Sequence, residues 1–256
     1  MSLPTIQDKM QSQMIRINDR LSRVKYKIAV LSGKGGVGKT TIAVNLACTL
    51  AKNYSVGILD ADIDCPNVGK ILGIEEKFEM KERKLIPKEK YGIKIISTSF
   101  FAEEDKPMIW RGPMIHNTIL QFLELADYGD IEYLIIDMPP GTSDAALTAM
   151  QFLPLDFVVI VTTSQQLSLM DAKRSANMAK QFNKPMALIE NMSGDIFDEG
   201  KGKKLAEELS IPFLGSIELS KNVAISEGGI PLVLKNKDFA NKFQDIANHL
   251  NTLLKK

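Results

Sequence analysis

Apolar and polar positions along this chain of 256 residues follow two rhythms. Ile6, Met10, Met14, Ile17, Leu21 and Val24 recur at close to helical spacing with polar residues between them, which predicts an amphipathic helix. We expect it to form a leading segment over 1–24, outside the main domain at 25–256. Beyond it come short, nearly continuous apolar runs: "YKIAVLS" at 26–32, "YSVGILD" at 54–60, "YLIID" at 133–137, "DFVVIVTTS" at 156–164, "KPMALIENMS" at 184–193 and "IPFLGSIEL" at 211–219. Runs of this kind mark strands buried on both faces. Helical stretches such as "TIAVNLACTLAKN" at 41–53 separate them, and the polar stretch at 77–99 reads as an excursion with short strands. The pattern predicts the α/β class: a single doubly wound, mainly parallel sheet with helices on both faces. The final run, "DFANKFQDIANHLNTLLKK", sets Phe239, Phe243, Ile246, Leu250 and Leu253 along one helical face. Such a stripe can lie on a bilayer surface, but more commonly packs on its own sheet, so a membrane partner is not expected.

Between the first strand and the helix after it stands "SGKGGVGKTT" at 32–41. Gly33, Gly38, Lys39 and Thr40 satisfy G-x-x-x-x-G-K-[ST], and strand, glycine loop and helix are the context that gives this string meaning. Gly35, Gly36 and Gly38 let backbone N–H groups turn inward without a Cβ in the way. With Val37 and Thr41 they form an anion cradle at a helix N-terminus. Lys39 is expected to reach the β- and γ-phosphates of ATP, and the Thr40 hydroxyl to sit on Mg²⁺. A second lysine, Lys34, lies near the start of the loop, where its side chain projects away from its own phosphates.

Hydrolysis also needs the metal and a water held in place. "LDADID" puts Asp60, Asp62 and Asp64 at the C-terminal end of a strand, the edge where ligands sit in open α/β sheets. Asp60 is assigned to metal-bound water and Asp62 to the attacking water, with the two roles exchangeable; Asp64 caps or orients the loop. "LIIDMPPG" supplies a second metal-side acid, Asp137, after an apolar run, and the Gly141 N–H is a candidate sensor of the γ-phosphate. Asn191, at the end of a late strand, carries both donor and acceptor. It reads the adenine edge or satisfies local backbone.

"KGGVGKTT" resembles the deviant Walker A family, which includes MinD, ParA, the nitrogenase iron protein and the Mrp/ApbC ATPases. The resemblance implies a homodimer in which Lys34 reaches the partner's nucleotide. Physically this is an arginine-finger strategy carried out by lysine. "SGKGGVGKTTIAVNLA", "DADIDCPN", "IWRGPMI" at 109–115, "YLIIDMPPGTSD" and "IENMSG" narrow the likeness to the Mrp/ApbC-like branch over about 27–234. That branch implies a cytoplasmic ATPase that assembles or carries iron–sulfur clusters and meets assembly or client proteins. Trp110 and Arg111 come with the resemblance, and read as a packing indole beside a solvated guanidinium.

Composition changes this picture in two places. A formal net charge of +1 argues against a nucleic-acid partner bound by bulk electrostatics. The two cysteines, Cys48 and Cys65, are too few for a disulfide framework. The N-terminal stretch has no signal-peptide apolar core, in keeping with the cytoplasm. Cluster-carrying members have a C-x-x-C shortly after the "ENMS" segment, whereas here 191–208 contains no cysteine. Asp195, Asp198 and Glu199 are hard donors, poor substitutes for thiolates. The expectation of a slow ATPase with ATP and Mg²⁺ survives this loss, and that of a bound iron–sulfur cluster is weakened. The alternatives are a MinD/ParA-like spatial regulator and a nucleotide-switched scaffold.

Overall fold

In the computed structural model the continuous apolar runs become strands of one sheet. The structure describes residues 6–63, 65–77, 79–81, 84–100, 112–194, 199–219 and 229–255. The strands are β1 (Val24–Ser32), β2 (Val56–Asp60), β3 (Glu79–Lys81), β4 (Lys84–Ile86), β5 (Lys88–Lys90), β6 (Ile93–Ser97), β7 (Ile131–Asp137), β8 (Phe157–Thr162), β9 (Met186–Ser193) and β10 (Phe213–Glu218). Eight of them pair in the order β10-β9-β8-β1-β7-β2-β6-β5. Neighbours run parallel except β5, which is antiparallel to β6. The polar excursion supplies β6, parallel to β2, the edge strand β5, and the separate antiparallel pair of β3 and β4.

Side chains alternate between the two faces of β1, so one strand feeds two cores. Ala29 and Leu31 join one buried cluster, Ile28 and Val30 the other. The first is completed by α1 (Ile6–Ser22), α4 (Gly112–Leu125), α5 (Asp144–Phe152), α6 (Gln166–Gln181) and α7 (Lys201–Leu209). The second is completed by α2 (Lys39–Leu50), α3 (Val68–Leu72), α8 (Leu232–Lys235) and α9 (Lys237–Leu254). Helices on both faces leave no side of the parallel strands wet, which is why their runs lack alternation.

The two terminal helices sit inside these layers. On α9, Phe239, Phe243, Ile246 and Leu250 are buried against the sheet and Leu253 packs beside them. The stripe is therefore core, and Asn236 caps its start by accepting from Phe239 N at 3.0 Å. Among the described residues no helix is long and apolar enough to cross a membrane. On α1, which ends at Ser22, Ile17 and Leu21 belong to the same cluster as Leu31 of β1. Polar contacts lock the helix there. Arg16 Nε and Gln13 Nε2 donate to Glu124 at 2.6 and 2.9 Å, and Arg20 lies 3.4 Å from Asp127.

Asp127 also meets Lys84 at 2.8 Å and Arg23 at 3.8 Å. The Lys84 hydrogen bond, with Arg20 adding to it, holds its carboxyl below the usual aspartate range despite partial burial. A lowered folded pKa contributes stability that is present above the unfolded value and lost as pH falls through the folded one. Asp127→Asn should therefore lower the melting temperature at pH 7, and the gap from wild type should shrink as both are taken through the acid range. A gap that is the same at pH 7 and pH 3 would contradict this.

Candidate functional site

The loop between β1 and α2 is shaped by what presses on it. Gly38 adopts φ 84°, a left-handed conformation that side chains rarely tolerate. A Cβ there would lie 2.2 Å from Asn191 Nδ2. A Cβ on Gly33 would lie 2.1 Å from the Asp171 carbonyl carbon, because α6 leans on the start of the loop. Gly36 is also left-handed at φ 82°, and neither it nor Gly35 has an atom within 4 Å of where a Cβ would be. Their N–H faces are therefore approachable, as an anion cradle requires. Asn191 is 6 % exposed and its Nδ2 donates to the Val37 carbonyl at 2.8 Å. This contact is the local-backbone one of its two readings.

The carboxylates converge on Lys39. Parallel pairing sets Asp60 level with Asp137 at the C-terminal ends of β2 and β7. Lys39 Nζ lies 2.7 Å from Asp137 Oδ1 and 3.7 Å from Asp62 Oδ2. Thr40 Oγ1 donates to Asp137 Oδ2 at 2.6 Å. Asp60 accepts from Ser97 Oγ at 2.9 Å, Val68 N at 3.1 Å and Asp62 N at 3.2 Å, so its oxygens also shape the 60–68 turn. Asp62 accepts from Cys65 N at 3.3 Å, which leaves Oδ2 on the Lys39 side. Burial, reinforced by the charge of Asp137, pushes the Asp60 carboxyl up. Burial likewise raises Asp137, against the pull of Lys39. Asp60, Asp62 and Asp137 thus cluster at the strand ends beside the Lys39 ammonium, and a cation placed among them would favour the charged forms of the two raised carboxyls.

That cluster of oxygens suits a hard cation. Thr40, Asp60 and Asp137 offer hydroxyl and carboxylate oxygens, the donor set Mg²⁺ prefers. Among the described residues no group of three or more His, Cys, Asp or Glu is arranged to hold a metal unaided. Mg²⁺ characteristically needs no such cage, because it takes one or two carboxylates and completes its shell with phosphates and water.

Gly141 and Lys34 lie differently. The Gly141 N–H donates to the Ser32 carbonyl at 2.7 Å, so sensing a phosphate requires that bond to open. Lys34 Nζ donates to Gln165 Oε1 at 3.3 Å, directing it toward α6. Gln165 and Ser97 are partners the sequence did not announce. Ser97 carries a weak signal, a hydroxyl closing the apolar run "IKIIS" beside β2, whereas Gln165 carries none. Cys48 is buried in α2, its thiol pushed by burial up to about 12, and Cys65 is exposed. Glu199 is exposed. Asp64, Trp110, Arg111, Asp195 and Asp198 lie outside the described residues.

A sequence model of the family described as ParA, NUBPL iron-transfer P-loop NTPase, matches residues 23–251. Relatives named iron–sulfur cluster carrier protein include one from Pyrococcus horikoshii, 43 % identical over 94 % of this chain and 90 % of its own length. Another, from Methanocaldococcus jannaschii, is 42 % identical over 96 % of this chain and 91 % of its own. Among solved structures, a nucleotide-binding protein in complex with ADP from Archaeoglobus fulgidus superposes with TM-score 0.72 at 30 % identity, covering 92 % of this chain and 93 % of the other. The MinD cell division protein of Aquifex aeolicus gives TM-score 0.66 at 23 % identity over 89 % of this chain and 97 % of its own, a likeness of fold alone.

Gly38→Ala should cost about 1–3 kcal/mol of stability from backbone strain and weaken ADP binding as Asn191 is displaced from Val37. Urea denaturation and ADP titration of the variant check both effects. Unchanged stability and affinity would show that the left-handed turn is dispensable.

Proposed function

Because the chain belongs to the NUBPL iron-transfer P-loop NTPases of the ParA group, we propose that it is a homodimeric ATPase serving iron–sulfur cluster assembly or carriage. The observation that carries the ATPase reading is the convergence of Lys39, Thr40 and Asp137 at the mouth of the glycine loop. In this reading Lys39 moves from Asp137 to the β- and γ-phosphates, and Thr40 and Asp137 hold Mg²⁺. The metal neutralises charge developing on the phosphoryl group. Asp62, lying 3.7 Å from the same ammonium, orients the attacking water. Asp60 keeps the carboxylate turn in place and would bind a water of the metal's shell.

Lys34 supports the homodimer. Its ammonium is bonded to Gln165 at the start of α6, whereas Lys39 turns to Asp137 on the other side of the loop and is the lysine in this reading that serves the chain's own phosphates. Beside Gln165, Leu167 and Met170 are 68 % and 50 % exposed in the first two turns of α6, apolar surface suited to a second copy. Lys34 then supplies positive charge to the partner's transition state.

The relatives' names carry the iron–sulfur part of the proposal. With Cys48 buried and Cys65 the other thiol in the sequence, two chains present two accessible thiolates at most, below the four that cluster ligation usually takes. The chain then acts as the nucleotide-driven member, with the cluster's remaining ligands supplied by a cysteine-bearing partner or client.

Lys34→Ala should bind ATP as wild type does and lose ATP turnover, by about 10³-fold if it matches the reported range for a trans finger. Phosphate release under saturating ATP decides this; hydrolysis at the wild-type rate would remove the trans role. Anaerobic reconstitution with iron and sulfide should leave the isolated chain substoichiometric in cluster. A full complement of iron and sulfide per dimer would overturn the partner-dependent reading.

A further inference from the structure

Glu190 is a carboxylate in the middle of an apolar strand, and it is fully buried. Its oxygens are met from three directions. Ser164 Oγ, in the turn between β8 and α6, donates to Oε1 at 2.7 Å. Gly202 N donates to Oε1 at 2.8 Å and Gly200 N to Oε2 at 2.9 Å, both from the start of α7. Ser216 Oγ, on β10, donates to Oε2 at 3.2 Å. Gly200, the residue preceding α7, makes no side-chain cap, so Glu190 supplies from β9 the negative group that a helix N-terminus favours. A Cβ on Gly202 would lie 2.8 Å from Glu190 Cβ, and the glycine lets the side chain run beneath the helix. Burial alone would raise this carboxyl, yet the donors of Gly202, Ser164, Gly200 and Ser216 outweigh it and hold it below the usual glutamate range.

The neighbours of these contacts belong to the nucleotide site. Asn191, the next residue, points to the other face of β9 and holds the Val37 carbonyl at 2.8 Å. Gln165, next to Ser164, holds Lys34 at 3.3 Å. Two adjacent strand residues thus grip the glycine loop, the turn beneath Lys34 and the start of α7.

We infer that Glu190 is a positioning residue that couples occupancy of the glycine loop to the start of α7, acting through Ser164–Gln165 on Lys34 and alongside Asn191 on Val37. This rests on the nucleotide-binding reading. Phosphates drawn into the loop shift Val37 and Lys34. Asn191 and Gln165 transmit that shift to β9 and the β8–α6 turn, and the Glu190 carboxylate passes it to the amides of Gly200 and Gly202. An effect so transmitted should appear more than 150 residues along the chain from the loop, at a surface available to a partner.

Amide hydrogen exchange of the full chain, with and without Mg²⁺·ADP, tests the inference. In wild type, ADP should slow exchange across 33–41 and also change exchange across 199–204. Glu190→Gln keeps the shape but replaces one accepting oxygen by a donor that faces N–H and O–H groups. In it the 33–41 protection should persist, while the response at 199–204 falls by roughly fivefold or more, the low end of typical coupling energies. Ser164→Ala removes one strut and leaves the α7 bonds, so it serves if Glu190→Gln does not fold; its 199–204 response should drop in the same way. No ADP response at 199–204 in wild type, or an undiminished one in the variants, overturns the coupling while leaving nucleotide binding intact. Absence of protection at 33–41 in wild type would overturn the nucleotide reading and the coupling with it.

Discussion

One buried ammonium group, Lys39, faces Asp137 at the end of β7 and Asp62 in the turn after β2, and the architecture is arranged to make that meeting occur. Asp137 is 0 % exposed and Asp60 2 %, at adjacent strand ends. Breaking a buried pair by removing one partner typically costs about 3–5 kcal/mol, so neither Lys39 nor Asp137 is free to vary without the other. Parallel pairing is what delivers Asp60 and Asp137 to the same edge as the start of α2. An antiparallel neighbour would have carried one carboxylate to the far end of the sheet. Helices on both faces then keep water from the strands that hold these charges.

Much of this was legible in the sequence, for a physical reason. A strand buried on both faces must be apolar at nearly every position, so β1, β7, β8 and β9 stand out as uninterrupted runs. A polar residue closing such a run, as Asp60 and Asp137 do, marks the edge where ligands bind. The glycine loop is legible too, since few other sequences place strand, glycines, lysine and threonine in this order. The excursion at 77–99 is recognisable as short strands, but its division between a separate hairpin and an edge strand rests on pairing, which local composition does not specify.

What escaped the sequence are partnerships between residues far apart in the chain. Asn191 has the chemistry to meet an adenine or a carbonyl, and its contact with Val37 follows only from the packing of β9 beneath the loop. Gly141 looks poised for a phosphate until the Ser32 carbonyl is seen 2.7 Å away. Helix α1 shows the right periodicity, but nothing in its residues says that Ile17 and Leu21 complete the sheet's own core. Glu190 did leave a trace, a charge amid "ALIENMS" that must be compensated wherever the strand is buried. Its donors, two glycine amides and two serines, are too common for sequence to identify.

Whether Lys39 and the aspartates form a magnesium-dependent triphosphate clamp is read from the affinity for ATP with and without Mg²⁺. Equilibrium titration of a fluorescent ATP analogue into wild type and Asp137→Asn, in Mg²⁺ and in chelator, separates the metal's contribution from that of the loop. Mg²⁺ should tighten wild-type binding by about tenfold or more, equivalent to roughly 1.4 kcal/mol, and Asp137→Asn should lose most of this gain. Equal affinities with and without Mg²⁺ in wild type would contradict the clamp.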